Sequence, residues 1–319
     1  MSDLEAVTVG ELLAVVEPAE TGARLAGSSL LRKSIGGAEA NVALTMARLG
    51  HQVGWVGAVG EDPFGREGIR TLRGAGVDVS RVVVDQTAPT GVYFKELLPL
   101  GGIDNHAYRT GSAASRLTYR DLDVDYVVSG RLLHLTGITA LISESGHELI
   151  THLAQRAREA DLHLSVDANV RRRLLRDRDA VDLLAPLVQG ADTLFLSTAE
   201  AALLLGTDDP DQLQKELSSL AATAVVIHDW EGACAITAED IVGMPARMVP
   251  LVDPTGAGDA FAAGYLSGWL DDVPMAERLR RGATCAAHAV ASRGDNPIDV
   301  PRSIRDSATE DDVADGDSR

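Results

Sequence analysis

Residues 251–270 read LVDPTGAGDAFAAGYLSGWL, a glycine-rich turn that runs directly into a helical pattern. Gly256 and Gly258 free the backbone to curl, so the amides of Gly256, Ala257 and Gly258 can point at one spot at the positive end of the helix that follows. Such a cradle binds an anion. Asp259 stands at the helix start beside it, placed to take a proton from a hydroxyl while the amides stabilise a transferring phosphoryl group. A lone GxGD also fits a plainer account, in which Asp259 complements the helix N-terminus and the glycines only make a turn. Asp253 and Thr255 before the turn add specificity. The small residues of AFAAGYLSG add more, because they let the helix approach a sheet closely.

A second glycine pair opens another helical stretch in SIGGAEANVALTMARLG (34–50). Gly36 and Gly37 would let a sugar approach the backbone, with Asn41 offering an amide to its hydroxyls. Between the two glycine sites, short apolar runs alternate with helical periodicity. VGWVGAVG (53–60), RLLHLTGIT (131–139), LHLSVDAN (162–169), ADTLFLS (191–197) and AVVIHD (224–229) read as buried strands. ANVALTMARLG, SGHELITHLAQRAREA and PDQLQKELSSLAA read as helices. This rhythm predicts a parallel sheet covered on both faces, with ligands beyond the carboxyl ends of its strands. RLAGSSLLRKSI (24–35) and TGVYFKELLPLGGIDNHAYRTG (90–111) break the rhythm, alternating polar and apolar residues without a helix. They predict a small accessory sheet, either a lid over the site or an ordinary meander at an edge.

Composition narrows the function classes. A formal charge of -18 over 319 residues argues against a general nucleic-acid binder, which needs a basic surface. Any anion site must therefore be built locally, from backbone amides and a few arginines. Cys234 and Cys285 lie apart in apolar stretches and read as reduced core thiols of a cytoplasmic protein. No run is long enough to span a bilayer, and the N-terminus lacks the pattern of a secretory signal. His134 and His163 fall in strand-like runs and read as core residues, while His147 and His152 have the wrong spacing for a helical metal pair. The residues after Ile304, RDSATEDDVADGDSR, carry no apolar period and read as a solvated acidic tail (305–319) behind a single domain (1–304).

GGAEANVALTMARLG, VGWVGAVGEDPFG and DPTGAGDAFAAGYL, in this order, resemble the recurrent segments of ribokinase/PfkB carbohydrate kinases, over about Val7 to Ile304. The resemblance implies an α/β, ribokinase-like fold: a Rossmann-like three-layer core with a mainly parallel sheet and a small β-sheet lid, its strands from about 16–35 and 88–111. It also implies ATP as donor, Mg²⁺ as counter-ion, and leaves room for a monovalent cation. Within the family, GGAEANVA, TGVYFKELLPLG, YRTGSAAS, SVDANVR, LFLSTAEAALL and ASRGD look most like 2-keto-3-deoxygluconate kinases. Carried over by position, Gly36, Gly37, Asn41, Tyr93, Tyr108, Arg109 and Arg171 would contact substrate. Asp259 would be the base, and Gly256, Ala257 and Gly258 the amides around the transferred group.

A substrate carboxylate needs a guanidinium, which Arg109 and Arg171 are placed to supply. Arg171 opens a run of three arginines, which equally fits a solvated face. Ser197 and Glu200 stand where the family orders water around Mg²⁺, with Asp253 in the same hydrated shell, yet Ser-Thr-Ala-Glu is also a capping box. Ser197, His228, Gly232, Thr255, Gly256 and Gly258 would hold the nucleotide. The sequence departs from the family in VVIHDWEG (225–232), where the usual nucleotide loop is altered and Trp230 could stack on a base. Val15 replaces the aspartate of ribose-type members, against ribose. The expected activity is phosphorylation of 2-keto-3-deoxygluconate at its 6-hydroxyl. A kinase for another ketose such as fructose, or a sugar-binding sensor that has lost transfer, are the alternatives. Pairing of exposed lid edges predicts a homo-oligomer.

Overall fold

The computed structural model describes residues 4–20, 22–98, 102–175, 177–220, 222–294 and 300–306. Its strands are β1 (Ala6–Val9), β2 (Leu13–Pro18), β3 (Leu31–Gly36), β4 (Val53–Val56), β5 (Ala58–Gly60), β6 (Val83–Asp85), β7 (Gly91–Leu97), β8 (Ile103–Tyr108), β9 (Leu132–Thr136), β10 (His163–Asp167), β11 (Thr193–Leu196), β12 (Ala224–His228), β13 (Gly232–Ile236) and β14 (Ile241–Pro245).

The main sheet runs β14-β13-β12-β11-β10-β9-β1-β4, parallel from β12 to β4 and closed at the other edge by the antiparallel β13 and β14. Its strands are apolar on both faces because helices cover both. Successive residues go to opposite sides: Leu133, Leu194 and Val225 join one buried cluster, whereas Leu132, Phe195 and Val226 join the other. The first cluster packs under the helix Glu144–Glu159 and the second under Ala38–Arg48 and Ala257–Leu270. The small residues of AFAAGYLSG permit a close approach, but at Gly264 the neighbour is a helix and not the sheet. Gly264 lies so close to the helix Met275–Val290 that a Cβ there would meet the Arg281 carbonyl oxygen at 2.6 Å.

The second sheet has the order β3-β2-β7-β8. Both predicted excursions contribute to it, but the first does so late: residues 25–27 form one 3₁₀ turn, and its strand begins at Leu31. The partner strand β2 comes mostly from the segment before it. VGWVGAVG also divides. A Cβ on Gly57 would meet the Gly10 carbonyl oxygen at 2.3 Å, and there the chain leaves the main sheet so that β5 pairs with β6 instead. GIT of RLLHLTGIT forms the first turn of the helix Gly137–Ile142. β1, β13 and β14 carry no separate signal in the sequence reading.

His134 is fully buried and bonded to Ser165 Oγ at 2.9 Å, and His163 stacks on Trp269, so both serve the core. Among the described residues no helix is long and apolar enough to cross a membrane. Arg305, assigned to the acidic tail, sits in the short helix Ser303–Asp306 with its guanidinium on Asp271 at 2.6 Å. Residues 307–319 of that tail, Asp295 of ASRGD and residues 99–101 of the second excursion lie outside the described residues.

Candidate active site

β1 feeds the chain toward β4 on one side while β9, β10, β11 and β12 extend the sheet on the other, so the strand order reverses beside β1. Loops leave the carboxyl ends in opposite directions there and open a crevice. A cleft of about 1000 Å³ occupies that position. Its floor is the start of the helix Ala257–Leu270 and the strand ends at Asp167 and His228, and its wall is the small sheet through Tyr93, Asn105, Tyr108 and Arg109. Gly37, Asn41, Arg171, Ser197, Glu200, Thr255, Gly256, Gly258 and Asp259 also line it, so most of the predicted residues converge.

Gly256 caps the helix in the left-handed conformation (φ 78°), which favours glycine. The cradle is narrower than predicted. The Ala257 N–H folds back on the Pro254 carbonyl at 3.3 Å, and Ala257 packs into the apolar cluster around Leu49 and Cys285 instead of facing the cleft. Asp259 is buried, and its Oδ2 accepts a hydrogen bond from Asn41 Nδ2 at 2.7 Å. Asn41 therefore orients the candidate base, and its buried Oδ1 has no hydrogen-bond partner among the described residues. Gly37 (φ 126°) crosses the Glu11 backbone so tightly that a Cβ would lie 2.1 Å from the Glu11 carbonyl oxygen. Gly36 is the last residue of β3, paired with Leu13 and buried away from the cleft.

Arg109 follows β8 and is buried, with Nη1 3.1 Å from Glu11 Oε2. The orientation is that of an ion pair, with no hydrogen bond formed at Nη1 or Nε among the described residues. Burial pushes the Glu11 carboxyl upward and the Arg109 guanidinium partly offsets it. Arg171, Arg172 and Arg173 are exposed yet all line the cleft, which reconciles the two readings of the run. Arg173 Nη1 donates to the Asn105 carbonyl at 2.5 Å, bridging from the core to β8. Tyr108 projects from β8 and packs edge-on against Phe94 at 5.6 Å.

Ser197 and Glu200 form the capping box, with Ser197 Oγ and N donating to Glu200 Oε2, both at 2.8 Å. Glu200 Oε1 accepts from Val170 N at 2.6 Å, so a metal ion would reach this carboxylate through water. Asp167, absent from the predicted set, is the neighbouring acid. Burial first, then the charges of Glu200 and Asp259, push its carboxyl well above the usual range. A divalent cation would relieve that repulsion, and the acidic pair fits one. Its signal was SVDAN, an acid at a strand's carboxyl end. Glu39 of GGAEAN is a second acid outside the predicted set. It is fully buried, accepts from Thr136 and Thr139 hydroxyls at 2.6 and 2.7 Å, and burial raises its carboxyl to about 7.

Asp253 lies under the turn with no exposure, outside the cleft lining, and its oxygens are taken by Thr255 N, Gly294 N and Lys95 Nζ. Its placement in a hydrated metal shell is corrected accordingly. Gly232 ends the turn between β12 and β13 and lines a separate, smaller hollow with Thr198 and Asp229. Trp230 is 84 % exposed in that turn. His228 stacks on Phe261 with centroids 4.9 Å apart and stands against Gly258, and burial holds its pKa below the usual value. Its Nε2 is buried without a hydrogen-bond partner among the described residues, and a phosphate oxygen would satisfy it.

A carboxylate beside an anion-binding helix start, at the reversal of a parallel sheet and under a small sheet, is the apparatus of a phosphotransferase with an alcohol acceptor. The chain belongs to the pfkB family of carbohydrate kinases, whose model matches residues 3–301. It is 36 % identical over 296 residues to the 2-dehydro-3-deoxygluconokinase of Bacillus subtilis strain 168, covering 92 % of this chain and 91 % of the relative. It is 32 % identical over 301 residues to fructokinase-1 of Oryza sativa subspecies japonica, covering 91 % and 93 %. The PfkB protein of Polaromonas sp. JS666 superposes with a TM-score of 0.83 at 30 % identity, covering 96 % of this chain and 100 % of that one. A sugar kinase of Pyrococcus horikoshii in complex with ATP gives 0.79 at 25 % identity, covering 91 % and 93 %. Kinase activity and fold thus agree with the sequence reading.

Proposed function

We propose that this carbohydrate kinase transfers the γ-phosphoryl group of ATP to the 6-hydroxyl of 2-keto-3-deoxygluconate (2-dehydro-3-deoxygluconate). The observation that carries the reading is the cleft itself, which brings together a buried carboxylate, a glycine-rich helix start and several arginines. Asp259, held by Asn41, takes the hydroxyl proton as the oxygen attacks. The amides at Gly256 and Gly258 stabilise the transferring group, and His228 Nε2 and Thr255 hold the donor phosphates. Arg109 and Arg171 orient the substrate carboxylate, with Gly37, Tyr93 and Tyr108 around the sugar. Asp167 and Glu200 would hold Mg²⁺ through water, and the bound ion would neutralise the charge of the donor phosphates.

A neutral ketose such as fructose is the second reading, and one observation favours it. Glu11 already offsets part of the Arg109 charge, which lowers the demand for an anionic acceptor. Purified protein with ATP, Mg²⁺ and a panel of sugars and sugar acids separates the two. ADP release fastest with the keto acid supports the first reading, and release no faster than with fructose or ribose defeats it. Work in the cytoplasm and self-association through the edges of the small sheet complete the proposal. Sedimentation of the purified chain as a monomer at assay concentration would remove the latter.

A further inference from the structure

Lys95 is one of three lysines in the chain, and its side chain has no exposure at all. It rises from β7 on the same side of the strand as Tyr93, which lines the cleft, and reaches Asp253 Oδ2 at 2.8 Å. Thr255 Oγ1 lies 3.5 Å and Glu17 Oε2 3.8 Å from the same ammonium. Asp253 is equally buried and immediately precedes the phosphoryl-binding turn. Its Oδ1 accepts from Thr255 N at 3.1 Å, and its Oδ2 from Gly294 N at 3.0 Å, so this one carboxylate pins both chains that frame the turn.

A carboxylate buried this deeply keeps its charge only beside a cation, and would otherwise protonate and lose acceptor strength toward those two amides. A monovalent metal ion between Asp253 and Thr255 would serve. The ammonium of Lys95 supplies the same charge at hydrogen-bond distance, already tethered. Burial alone would raise the Asp253 carboxyl, and Lys95 with Thr255 outweighs it, so the group titrates below the usual range. The far side of the ammonium is anchored as well. Glu17 gathers Arg32 Nε at 3.3 Å and Arg293 Nε at 3.4 Å, and Arg32 donates to the Arg293 carbonyl, which closes a network of β2, β3, β7 and the segment after the helix Met275–Val290.

We propose that Lys95 is the resident cation of the phosphoryl-binding turn: a positioning residue whose ammonium holds Asp253, and through it the backbone from Thr255 to Gly258, so that transfer needs no monovalent metal ion. The inference rests on the kinase reading and answers the expectation of a monovalent cation. It also makes the cleft wall and the turn one mechanical unit, since the same strand carries Tyr93 and Lys95.

The test uses the full chain with ATP, Mg²⁺ and whichever sugar the wild type turns over, in buffers whose monovalent cation is potassium or tetramethylammonium. Wild-type kcat is expected to be the same in both. Lys95→Ala is expected to lose about 10²-fold in kcat with little change in KM for the sugar, the size of effect that follows from a misplaced reacting group. Ammonium or potassium, entering the space left, is expected to restore much of the lost turnover, whereas tetramethylammonium is too large to do so. A wild type that depends on potassium, a Lys95→Ala enzyme with wild-type kcat, or a loss that no small cation restores would each overturn the proposal. If Lys95→Ala does not fold, the wild-type comparison decides alone. Activity on fructose in place of the sugar acid revises the acceptor and leaves the cation result standing.

Discussion

Asn41 and Asp259, 218 residues apart in the chain, meet in a buried hydrogen bond of 2.7 Å between Nδ2 and Oδ2. The amide, assigned by its donor role in this network, aims the carboxylate at the cleft while the rest of Asp259 is fixed by the helix start. Asp259→Asn keeps the shape and removes the base. Turnover should fall about 10²–10⁴-fold with sugar affinity nearly unchanged, measured by steady-state ADP release and calorimetry. Retained turnover would take Asp259 out of its role.

Asn41→Ala removes the donor that aims the base without touching the base itself. A hydrogen bond to a charged group contributes about 1.5–3 kcal/mol, so kcat should fall about tenfold to a hundredfold. The check is a kcat comparison with Asn41→Asp, which places a second negative charge against Asp259 and should be slower still.

Glu39 provides a pH dependence of stability. Its carboxyl titrates at about 7 in the folded protein, against 4.5 for an ordinary glutamate. The folded chain therefore binds more protons than the unfolded chain between those values. This group's contribution to stability is greatest below about pH 4.5 and declines until about pH 7, by about 3 kcal/mol in total. Glu39→Gln, which mimics the protonated form, should stabilise the protein at pH 8 more than at pH 5. Urea unfolding at both values measures it, and an equal effect at the two would contradict the burial argument.

Arg109 and Glu11 form a buried ion pair at the cleft. Arg109→Met leaves Glu11 alone and should cost about 3 kcal/mol of stability. Adding Glu11→Gln should recover most of that loss, and additive losses in a double-mutant cycle of unfolding would show the two to be independent.

Arg171 is exposed, so its substitution should spare the fold. Arg171→Gln should raise KM for the sugar acid several-fold, about 1 kcal/mol for a solvent-screened charge contact, and leave KM for fructose unchanged. Equal effects on both sugars would separate Arg171 from the carboxylate.

Much of the site was legible in the sequence because its parts are local. The DPTGAGD turn and the Ser197–Glu200 capping box are short-range patterns, and each fixes a helix start wherever it occurs. The strand-helix rhythm fixed the covered parallel sheet for the same reason, since burial on both faces favours apolar runs such as Leu194–Leu196. What periodicity could not assign was which residues face the cleft. Ala257, Gly36 and Gly232 sit one or a few positions from residues that do, and one position reverses a side chain's direction in a strand or moves an amide out of a turn.

The pairings were decided by the tertiary structure alone. Lys95 with Asp253, Arg109 with Glu11, and Asn41 with Asp259 join segments brought together by the sheet order and by the docking of the small sheet on the core. Asp167 and Glu39 gain their unusual proton affinities from burial and neighbours that no linear pattern records. By itself the sequence determined the fold, the glycine-rich helix start and the position of the candidate base in it, because backbone geometry and helix capping act over a few residues. Only the tertiary structure decided which charges neutralise one another, because Coulomb energy in a desolvated interior depends on distance through space.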